Sequence, residues 1–451
     1  MSDSATRHRS VGVPALRATM YPSDLRWMEN PAARSSPFVL PDSARRTFAA
    51  VDAAHALHRS MPGYRPTPLV SLDALARLLD VRSVWVKDES RRLGLGAFKV
   101  LGSSFAVARH LAESFGFQGV PAFDQLAEAV RSQTRPVTFA SATAGNHGHG
   151  LAWVARRLGA QAVIYLPAGR EHSLYERIAS EGAEVIRTDL DYDRTVEFAA
   201  ADARDKKWTL IQDTAWDGYD RIPEWTMQGY LTLIHEAAAQ CLAVSDEMPT
   251  HVIVQAGVGS LAAAVQSYLS ARWGNERPRT VVVEPLSAAC LLRTARARDG
   301  KVHASEARPS TVMSGLACRQ PNPQAWEILR SQADLFLACS DEFAARGMRI
   351  LACPVGLDER VESGESGAVG LGVLSAVRLG SQWSAASRAI GLDWDSRVLV
   401  INTEGATAPA HYRRVVWDGA LSFGSATPER APCSCLAPSA RRSRGKALAE
   451  A

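Results

Sequence analysis

The segment VIVQAGVGSLA, residues 252–262, runs from a β-branched strand through two glycines into the start of a helix. Glycines allow tight backbone turns, and the first amides of a helix have no intrahelical acceptor, so this junction is typical of a phosphate site. The same segment fits a dinucleotide fingerprint, Gly257-x-Gly259-x-x-Ala262, with Glu284 ending the next strand as the ribose acid. A single match of this kind does not decide whether the segment binds a phosphate group or a dinucleotide.

Predicted strands and helices alternate on both sides of this segment. Besides the strand at 252–255, the pattern predicts strands at 83–87, 136–140, 162–166, 184–187, 209–212, 280–283 and 398–402. Several are unbroken apolar runs, as in a parallel sheet that helices cover on both faces. We therefore expect an α/β fold whose ligand lies at the carboxyl ends of the strands.

The chain has 451 residues, enough for a large enzyme core with a lobe inserted in it. We predict an N-terminal arm over residues 1–45 and a large domain built from residues 46–100 and 221–423. Residues 101–220 are the predicted smaller domain. Residues 424–451, rich in Pro, Ser and Arg, are predicted to be a disordered basic tail.

Composition narrows the class of protein. The formal net charge is only +4 and the body has no basic stripe, so we expect no nucleic-acid partner. The seven cysteines have neither the spacing of a zinc site nor that of a disulfide framework, and we predict no metal. We find no apolar stretch for a membrane span and no signal peptide, so the expected location is the cytoplasm.

Lysine is scarce, with six in the chain, and Lys99 stands among small and apolar residues in GLGAFKVLG, residues 94–102. It falls at a predicted helix start. Burial and the positive end of the helix both disfavour the ammonium form, so we expect its pKa to fall. A lowered pKa suits an amine that forms an imine with an aldehyde. The alternative is a lysine that reaches solvent along an apolar surface.

Two further segments carry candidate ligand-binding residues. SATAGNHG, residues 141–148, joins a strand to a helix, where backbone amides favour a carboxylate and Asn146 can donate to a ring oxygen. We name its candidate substrate contacts as Thr143, Ala144, Gly145 and His147. The alternative is a strand-to-helix turn with an ordinary N-cap. In VINTEG, residues 400–405, the Thr403 hydroxyl could face a pyridine nitrogen.

Taken in this order, the lysine, the asparagine loop, the glycine loop and the late threonine resemble the fold-type II enzymes that use pyridoxal 5′-phosphate (PLP), the tryptophan synthase β-like group. The finer likeness, over roughly residues 55–420, is to the diaminopropionate ammonia-lyases. It rests on the strings PGYRPTPL (62–69), VKDES (86–90), QDTAWDGY (212–219), IPEW (222–225), GLAC (315–318), SGESGAVGLG (363–372) and YRRVVWDG (412–419).

The resemblance implies two open, parallel-rich sheets covered by helices, in a large domain with a smaller inserted one. It implies that Lys99 holds PLP as an imine and that Asp213 is an active-site acid. Asn146 would contact the ring hydroxyl and Thr403 the pyridine nitrogen. The phosphate would be wrapped by Gly257, Val258, Gly259, Ser260 and Leu261. The implied enzyme is a homodimer that eliminates ammonia from 2,3-diaminopropionate, or a similar small amino acid, to give pyruvate.

The chain departs from the family pattern at Ala144, Ala289 and Ala406, where aspartate is usual. A carboxylate missing beside the substrate affects the substrate assignment more than the cofactor assignment. Another fold-type II activity, such as a serine/threonine dehydratase, a β-replacement enzyme or a racemase, is therefore the alternative. A nicotinamide-dependent oxidoreductase and a PLP-binding protein without catalysis are more distant alternatives.

Overall fold

The computed structural model describes residues 25–34, 36–143, 145–169, 172–305 and 309–423. Over these residues the strands are β1 (Leu25–Glu29), β2 (Leu69–Ser71), β3 (Ser83–Asp88), β4 (Thr138–Ala142), β5 (Gln161–Leu166), β6 (Glu184–Arg187), β7 (Thr209–Leu210), β8 (His251–Gln255), β9 (Arg279–Pro285), β10 (Leu335–Cys339) and β11 (Arg397–Asn402). The predicted basic tail lies outside the described residues.

The α-helices of the same ranges are α1 (Asp42–Phe48), α2 (Val51–Ser60), α3 (Asp73–Leu78), α4 (Val100–Ser114), α5 (Phe123–Arg131), α6 (Asn146–Leu158), α7 (His172–Ala179), α8 (Tyr192–Asp205), α9 (Arg221–Gly229), α10 (Leu231–Ser245), α11 (Ser260–Trp273), α12 (Cys290–Ala297), α13 (Pro323–Gln332), α14 (Asp341–Ala352), α15 (Glu365–Leu379), α16 (Ser384–Ile390) and α17 (Pro409–Val416). None of the described helices is long and apolar enough to cross a membrane.

The strands form two sheets, as the sequence predicts. The larger has seven strands in the order β1-β10-β9-β8-β11-β3-β2, parallel except for β1 and β2 at its two edges. The smaller, β6-β5-β4-β7, is parallel throughout. Every residue of β8 and β10 is buried, as expected for strands covered on both faces. The domain boundaries at residues 100 and 220 stay a prediction.

Some elements differ from the sequence prediction. Part of the predicted arm is strand β1, which pairs antiparallel with β10, an apolar strand that the sequence reading missed. Helices α9 and α10 are separated only by Tyr230, and Gly229 is the last residue of α9. A Cβ at Gly229 would lie 2.3 Å from the Leu101 carbonyl oxygen, so α9 crosses α4 at a distance that only glycine allows.

Helices α14 and α15 also pack through glycine. A Cβ at Gly372 would lie 1.8 Å from the Phe343 carbonyl oxygen, and one at Gly347 would lie 2.1 Å from that of Ala368. Gly370, in the same helix, has its nearest neighbour at 3.4 Å, an ordinary contact. The two glycines at the crossing therefore set the separation between the helices, whereas the third does not.

A cluster of four charged side chains is buried between β3, the turn after it and α10. Glu236 accepts from Lys87 Nζ at 2.6 Å and from Arg92 at 2.8 Å, and Arg92 also donates to Glu89 at 2.7 Å. These side chains are at most 3% exposed. The cluster has two acids and two bases, so its charges balance. It also fixes the position of the segment between β3 and Lys99, which contains Glu89 and Arg92.

Candidate active site

A cavity of about 370 Å³ lies at the carboxyl ends of β4, β8 and β11. Its walls include almost all of the site residues predicted from the sequence, namely Lys99, Thr143, Gly145, Asn146, His147, Asp213, Gly257, Val258, Gly259, Ser260, Leu261 and Thr403. Ala144 lies outside the described residues. Segments far apart in the chain therefore meet in one cavity, where a parallel sheet places its ligand.

Lys99 precedes α4 directly, and its Nζ donates to Asp213 Oδ2 at 2.6 Å. The ring centres of Phe98 and Tyr230 lie 5.6 and 5.9 Å from the same nitrogen. Burial acts to lower the pKa of Lys99, but the negative charge of Asp213 outweighs it and raises this pKa above its ordinary value. The expected fall in the pKa of Lys99 is therefore wrong for the protein without a ligand, since the acid comes from 114 residues away.

Asp213 follows β7, and hydrogen bonds of the preceding residue, Gln212, fix its position at the cavity. Gln212 Oε1 accepts from Ala142 N at 3.1 Å, and Tyr219 Oη accepts from Gln212 N at 2.9 Å. Burial acts to raise the pKa of Asp213, but the charge of Lys99 holds it well below its usual range. The pair therefore exists as an ammonium and a carboxylate, and a proton can pass between them over one short hydrogen bond.

His147 lies on the other side of Asp213. Its Nε2 is 2.8 Å from the Ile211 carbonyl oxygen, which can only accept, so Nε2 carries the proton when the ring is neutral. Its Nδ1 lies 3.3 Å from Ser103 Oγ and 3.9 Å from Asp213 Oδ2. Burial lowers the pKa of His147, so the neutral ring prevails at neutral pH.

The glycine loop at the start of α11 is shaped for close approach. Gly259 has φ of +100°, which favours glycine, and a Cβ at Gly257 would lie 2.9 Å from Cys318 Sγ. Asn322 holds the loop, since its backbone N donates to the Val258 carbonyl oxygen at 2.8 Å and its Nδ2 to Ser260 Oγ at 3.1 Å. The loop presents the free amides of a fourteen-residue helix, which suits an anion.

Glu284 is the acid that the dinucleotide interpretation requires, but its carboxylate binds backbone amides instead. Its two carboxyl oxygens accept from the backbone amides of Leu291 and Leu292, each at 2.8 Å. Burial raises the pKa of Glu284 to about 8 in spite of these two hydrogen bonds. The side chain is fully buried and caps α12, so the ribose-binding acid required by a nicotinamide cofactor is not available there.

Thr143 and Asn146 shape the loop between β4 and α6. Thr143 Oγ1 accepts from the amides of Gly145 and Gly148 at 3.0 and 3.3 Å. Asn146 Nδ2 donates to Glu404 Oε2 at 2.7 Å. Burial, followed by the neighbouring Glu365, raises the pKa of Glu404 to about 7. The asparagine amide is thus held in one orientation by an acid that the sequence analysis missed.

Thr403 has a partner that the sequence analysis also missed. Gln255 Nε2 lies 3.0 Å from Thr403 Oγ1, and both residues line the cavity. Gln255 ends β8 and Glu404 lies just after β11, so their positions at strand ends were a usable signal. Two other residues of the cavity wall, Tyr230 between α9 and α10 and Arg177 in α7, are not at strand ends and gave no such signal. In the described ranges no group of three His, Cys, Asp or Glu residues could hold a metal ion.

Comparison with known proteins gives a consistent set of matches. The family model "Pyridoxal-phosphate dependent enzyme" matches residues 60–404. Diaminopropionate ammonia-lyase of Escherichia coli (strain K12) is 46% identical over 367 residues, which cover 81% of this chain and 91% of that protein. The enzyme of the same name from Salmonella typhimurium (strain LT2) is 41% identical over 374 residues, with the same shares covered.

Solved structures match over a similar extent. The holo form of diaminopropionate ammonia lyase from Escherichia coli superposes with a TM-score of 0.80 at 41% identity, covering 89% of this chain and 98% of that one. The complex of that enzyme with D-serine gives a TM-score of 0.79 at 42% identity, covering 88% and 98%. Threonine deaminase from Solanum lycopersicum, at 16% identity and a TM-score of 0.66, shares the fold.

Proposed function

The chain belongs to the diaminopropionate ammonia-lyases of the pyridoxal-phosphate dependent enzyme family, and on this premise we propose that it eliminates ammonia from 2,3-diaminopropionate. The products are pyruvate and two molecules of ammonia, with one water consumed. The observation that carries the proposal is the Lys99–Asp213 pair, 2.6 Å apart, in the same cavity as the glycine loop at the start of α11.

The residues of the cavity fit PLP group by group. Lys99 is the amine for its aldehyde, residues 257–261 are the anion site for its phosphate, and Asn146 and Thr403 are the polar contacts for its ring. The Cβ that Gly257 lacks would clash with Cys318, and Gly259 needs its left-handed conformation, so the loop is built for an anion at the helix start. When bound, PLP spreads the negative charge that proton removal leaves on the substrate's α-carbon.

Lys99 is the proposed base that takes the α-proton from the substrate. The amine must first lose the proton that it shares with Asp213. Asp213 lies within one hydrogen bond of Nζ and can receive this proton, although its low pKa makes it a weak acceptor while the ammonium is present. Once the positive charge leaves Lys99, burial raises the proton affinity of Asp213, and the carboxyl can hold a proton.

Asp213 is then the proposed acid for the leaving amine. It gives its proton to the β-nitrogen, and the carbon–nitrogen bond breaks with its electron pair on that nitrogen. The unsaturated amine that remains hydrolyses to pyruvate and a second ammonia. His147 Nδ1, which is unprotonated in the neutral ring and lies 3.9 Å from Asp213 Oδ2, is the proposed acceptor that faces the Asp213 carboxyl group while it carries a proton. The backbone amides of Asn146 and His147, at the start of α6, are the proposed donors to the substrate carboxylate.

The substrate is the finer part of the proposal, because Ala144 stands where the family usually has aspartate. The test is the release of ammonia and pyruvate from the D- and L-isomers of 2,3-diaminopropionate, measured beside serine and threonine. We expect one or both isomers of diaminopropionate to be preferred. Faster turnover of serine or threonine would assign the chain to the dehydratases instead.

Lys99→Ala is the matched test of the cofactor site. Without the amine, the purified protein is expected to lose both the visible absorbance of bound PLP and its activity. A Lys87→Ala variant, which removes the buried lysine of the nearby charged cluster, should keep that absorbance if it folds. Borohydride trapping and peptide mapping should place the modified residue within residues 97–102.

We also propose that the protein acts as a homodimer in the cytoplasm. Support for both comes from the family assignment. Sedimentation equilibrium of the holoenzyme tests the assembly, since a dimer has twice the chain mass of 48.7 kDa. Fractionation of the cells that produce the protein tests the location.

A further inference from the structure

Arg177 is a half-buried arginine of the cavity wall whose partners, among the described residues, are all uncharged. Its Nη1 donates to the Thr407 carbonyl oxygen at 3.1 Å, and its Nη2 donates to the Leu95 carbonyl oxygen at 3.3 Å. Nη2 also lies 3.1 Å from Nδ1 of His149. A guanidinium has five N–H groups, so two of them remain for a ligand, and its positive charge is not neutralised by an ion pair with a described residue.

His149 fixes the direction of this guanidinium. Burial, followed by the charge of Arg177, lowers the pKa of His149 to about 4, so its ring is neutral at neutral pH. Nδ1 therefore accepts from Arg177, and Nε2 carries the proton, 3.8 Å from Glu181 Oε1. Burial lowers the pKa of Arg177 as well, against the charge of Glu404, but a guanidinium stays charged at neutral pH. The cavity wall thus holds a permanent positive charge in a fixed orientation.

The guanidinium lies beside the first turn of α6. His149 is the fourth residue of this helix, and the first two, Asn146 and His147, are the proposed amide donors to the substrate carboxylate. Glu404, which accepts from Asn146 Nδ2 at 2.7 Å, acts on Arg177 through its charge and so lies near both. The arginine and the helix start therefore face the same part of the cavity.

We propose that Arg177 binds the α-carboxylate of the amino-acid substrate, together with the amides at the start of α6. The inference rests on the proposed function and adds to it a substrate-binding residue. A helix start offers only about half a positive charge, whereas a carboxylate taken out of water needs a full countercharge. Lys99 cannot supply this charge, because its amine must be neutral to act as the base. Among the described lysines and arginines of the cavity wall, Arg177 is the cation that remains.

Arg177 also has a structural part, because its contacts with Leu95 and Thr407 join α7 to the segments that follow β3 and β11. The test must therefore compare ligands that differ only in the carboxylate. Alanine and alaninamide are such a pair, since both carry the α-amine and neither has a β-leaving group. Their dissociation constants can be measured from the change in the visible absorbance of the holoenzyme.

Arg177→Gln should weaken the binding of alanine by about 10- to 100-fold, the factor that a hydrogen bond to a charged group supplies. The binding of alaninamide should change by less than about twofold, since it has no carboxylate to lose a partner. Arg177→Lys keeps the charge without the planar fork, so it should restore part of the affinity for alanine. With diaminopropionate, Arg177→Gln should raise KM by a similar factor and change kcat far less. Equal weakening of alanine and alaninamide would overturn the inference and leave the arginine a structural role.

Arg156→Gln is the matched control. It removes the same charge from α6, where Arg156 pairs with Glu181 at 3.3 Å and is not part of the wall of the catalytic cavity. Both dissociation constants should stay within about twofold, since the side chain is exposed. If Arg177→Gln does not fold, phenylglyoxal, which modifies arginine, gives a measurement on the unaltered holoenzyme. Alanine should slow the modification of Arg177, located by peptide mapping, whereas alaninamide should not, and equal protection by the two would contradict the inference.

The outcomes distinguish this inference from the proposed function. A protein that loses its preference for alanine in Arg177→Gln, yet releases no ammonia from diaminopropionate, supports the role of Arg177 and refutes the proposed function alone. A protein that releases ammonia, and in which Arg177→Gln weakens both ligands alike, overturns the role of Arg177 alone. Loss of PLP itself from Arg177→Gln would assign the guanidinium to the cofactor and would also overturn the inference.

Discussion

Replacing Asp213 by asparagine is expected to act in opposite directions on two steps: it should speed the capture of PLP by the apoenzyme and slow elimination. The side chains of Lys99 and Asp213 are 22% and 13% exposed, so solvent screens their 2.6 Å contact only in part. The carboxylate raises the pKa of Lys99, and only the neutral amine can react with the aldehyde. Asparagine has nearly the same shape and no charge.

The size of the effect follows from the strength of the contact. A hydrogen bond to a charged group contributes about 1.5–3 kcal/mol. One pKa unit corresponds to about 1.4 kcal/mol, so the pKa of Lys99 should fall by about one to two units in the variant. Near neutral pH the fraction of neutral amine then rises about 10- to 100-fold. Elimination should fall by about 10²- to 10⁴-fold, the usual contribution of a positioned acid or base.

The assay mixes apoenzyme with PLP and follows the growth of visible absorbance at several pH values, with ammonia release measured in parallel. Asp193→Asn is the matched control, because it removes the same charge from an exposed acid that pairs with Arg319 at 3.5 Å. This control should change neither rate by more than about twofold, since surface ion pairs contribute little. If capture is slower in Asp213→Asn, the carboxylate removes the proton from Lys99, and the argument from its raised pKa is refuted.

Three further predictions concern stability and substrate. Burial acts to raise the pKa of Glu236, but its basic partners lower it to about 2. Its contribution to the free energy of unfolding should therefore be complete above pH 4.5 and decline as the pH falls toward 2, a slope that urea titrations of Glu236→Gln should lack. Gly372→Ala should cost about 1–3 kcal/mol or more, whereas Gly370→Ala in the same helix should be neutral or stabilising by up to about 1 kcal/mol; equal melting temperatures would contradict this. Ala144→Asp should raise turnover of diaminopropionate, the D-isomer above all, and an unchanged substrate profile would show that this acid is not what limits the enzyme.

The sequence predicts those parts of the site that are encoded locally. Lys99, the Asn146 loop and the glycine loop each lie at a strand-to-helix junction, which a few neighbouring residues determine, and the structure brings them into one cavity. The contacts that set their chemistry join residues far apart, 258 positions for Asn146 with Glu404 and 148 for Gln255 with Thr403. A local sequence pattern does not predict a contact between residues so far apart in the chain. The direction of the Lys99 pKa was mispredicted for this reason.

The same distinction holds for the fold. The central parallel strands were predictable because their β-branched runs alternate with helical stretches along the chain. Strand β10 was missed, since a single short apolar run does not distinguish a strand from a buried helical segment. Strands β1 and β2 were missed because they are short and only partly buried, so their sequences show neither a clean alternation nor an apolar run.

The position of β1 bears on how the edge of the large sheet is protected from unspecific pairing with other chains. Without this strand, β10 would present a row of free amides and carbonyls at the rim of the large sheet, a template on which another chain could add. The segment after β1 is fastened by Arg34, which donates to Asp334 at 2.6 Å just before β10 begins. Removal of β1 would thus leave the residues of the catalytic cavity in place and expose the edge of β10 to pairing with another chain.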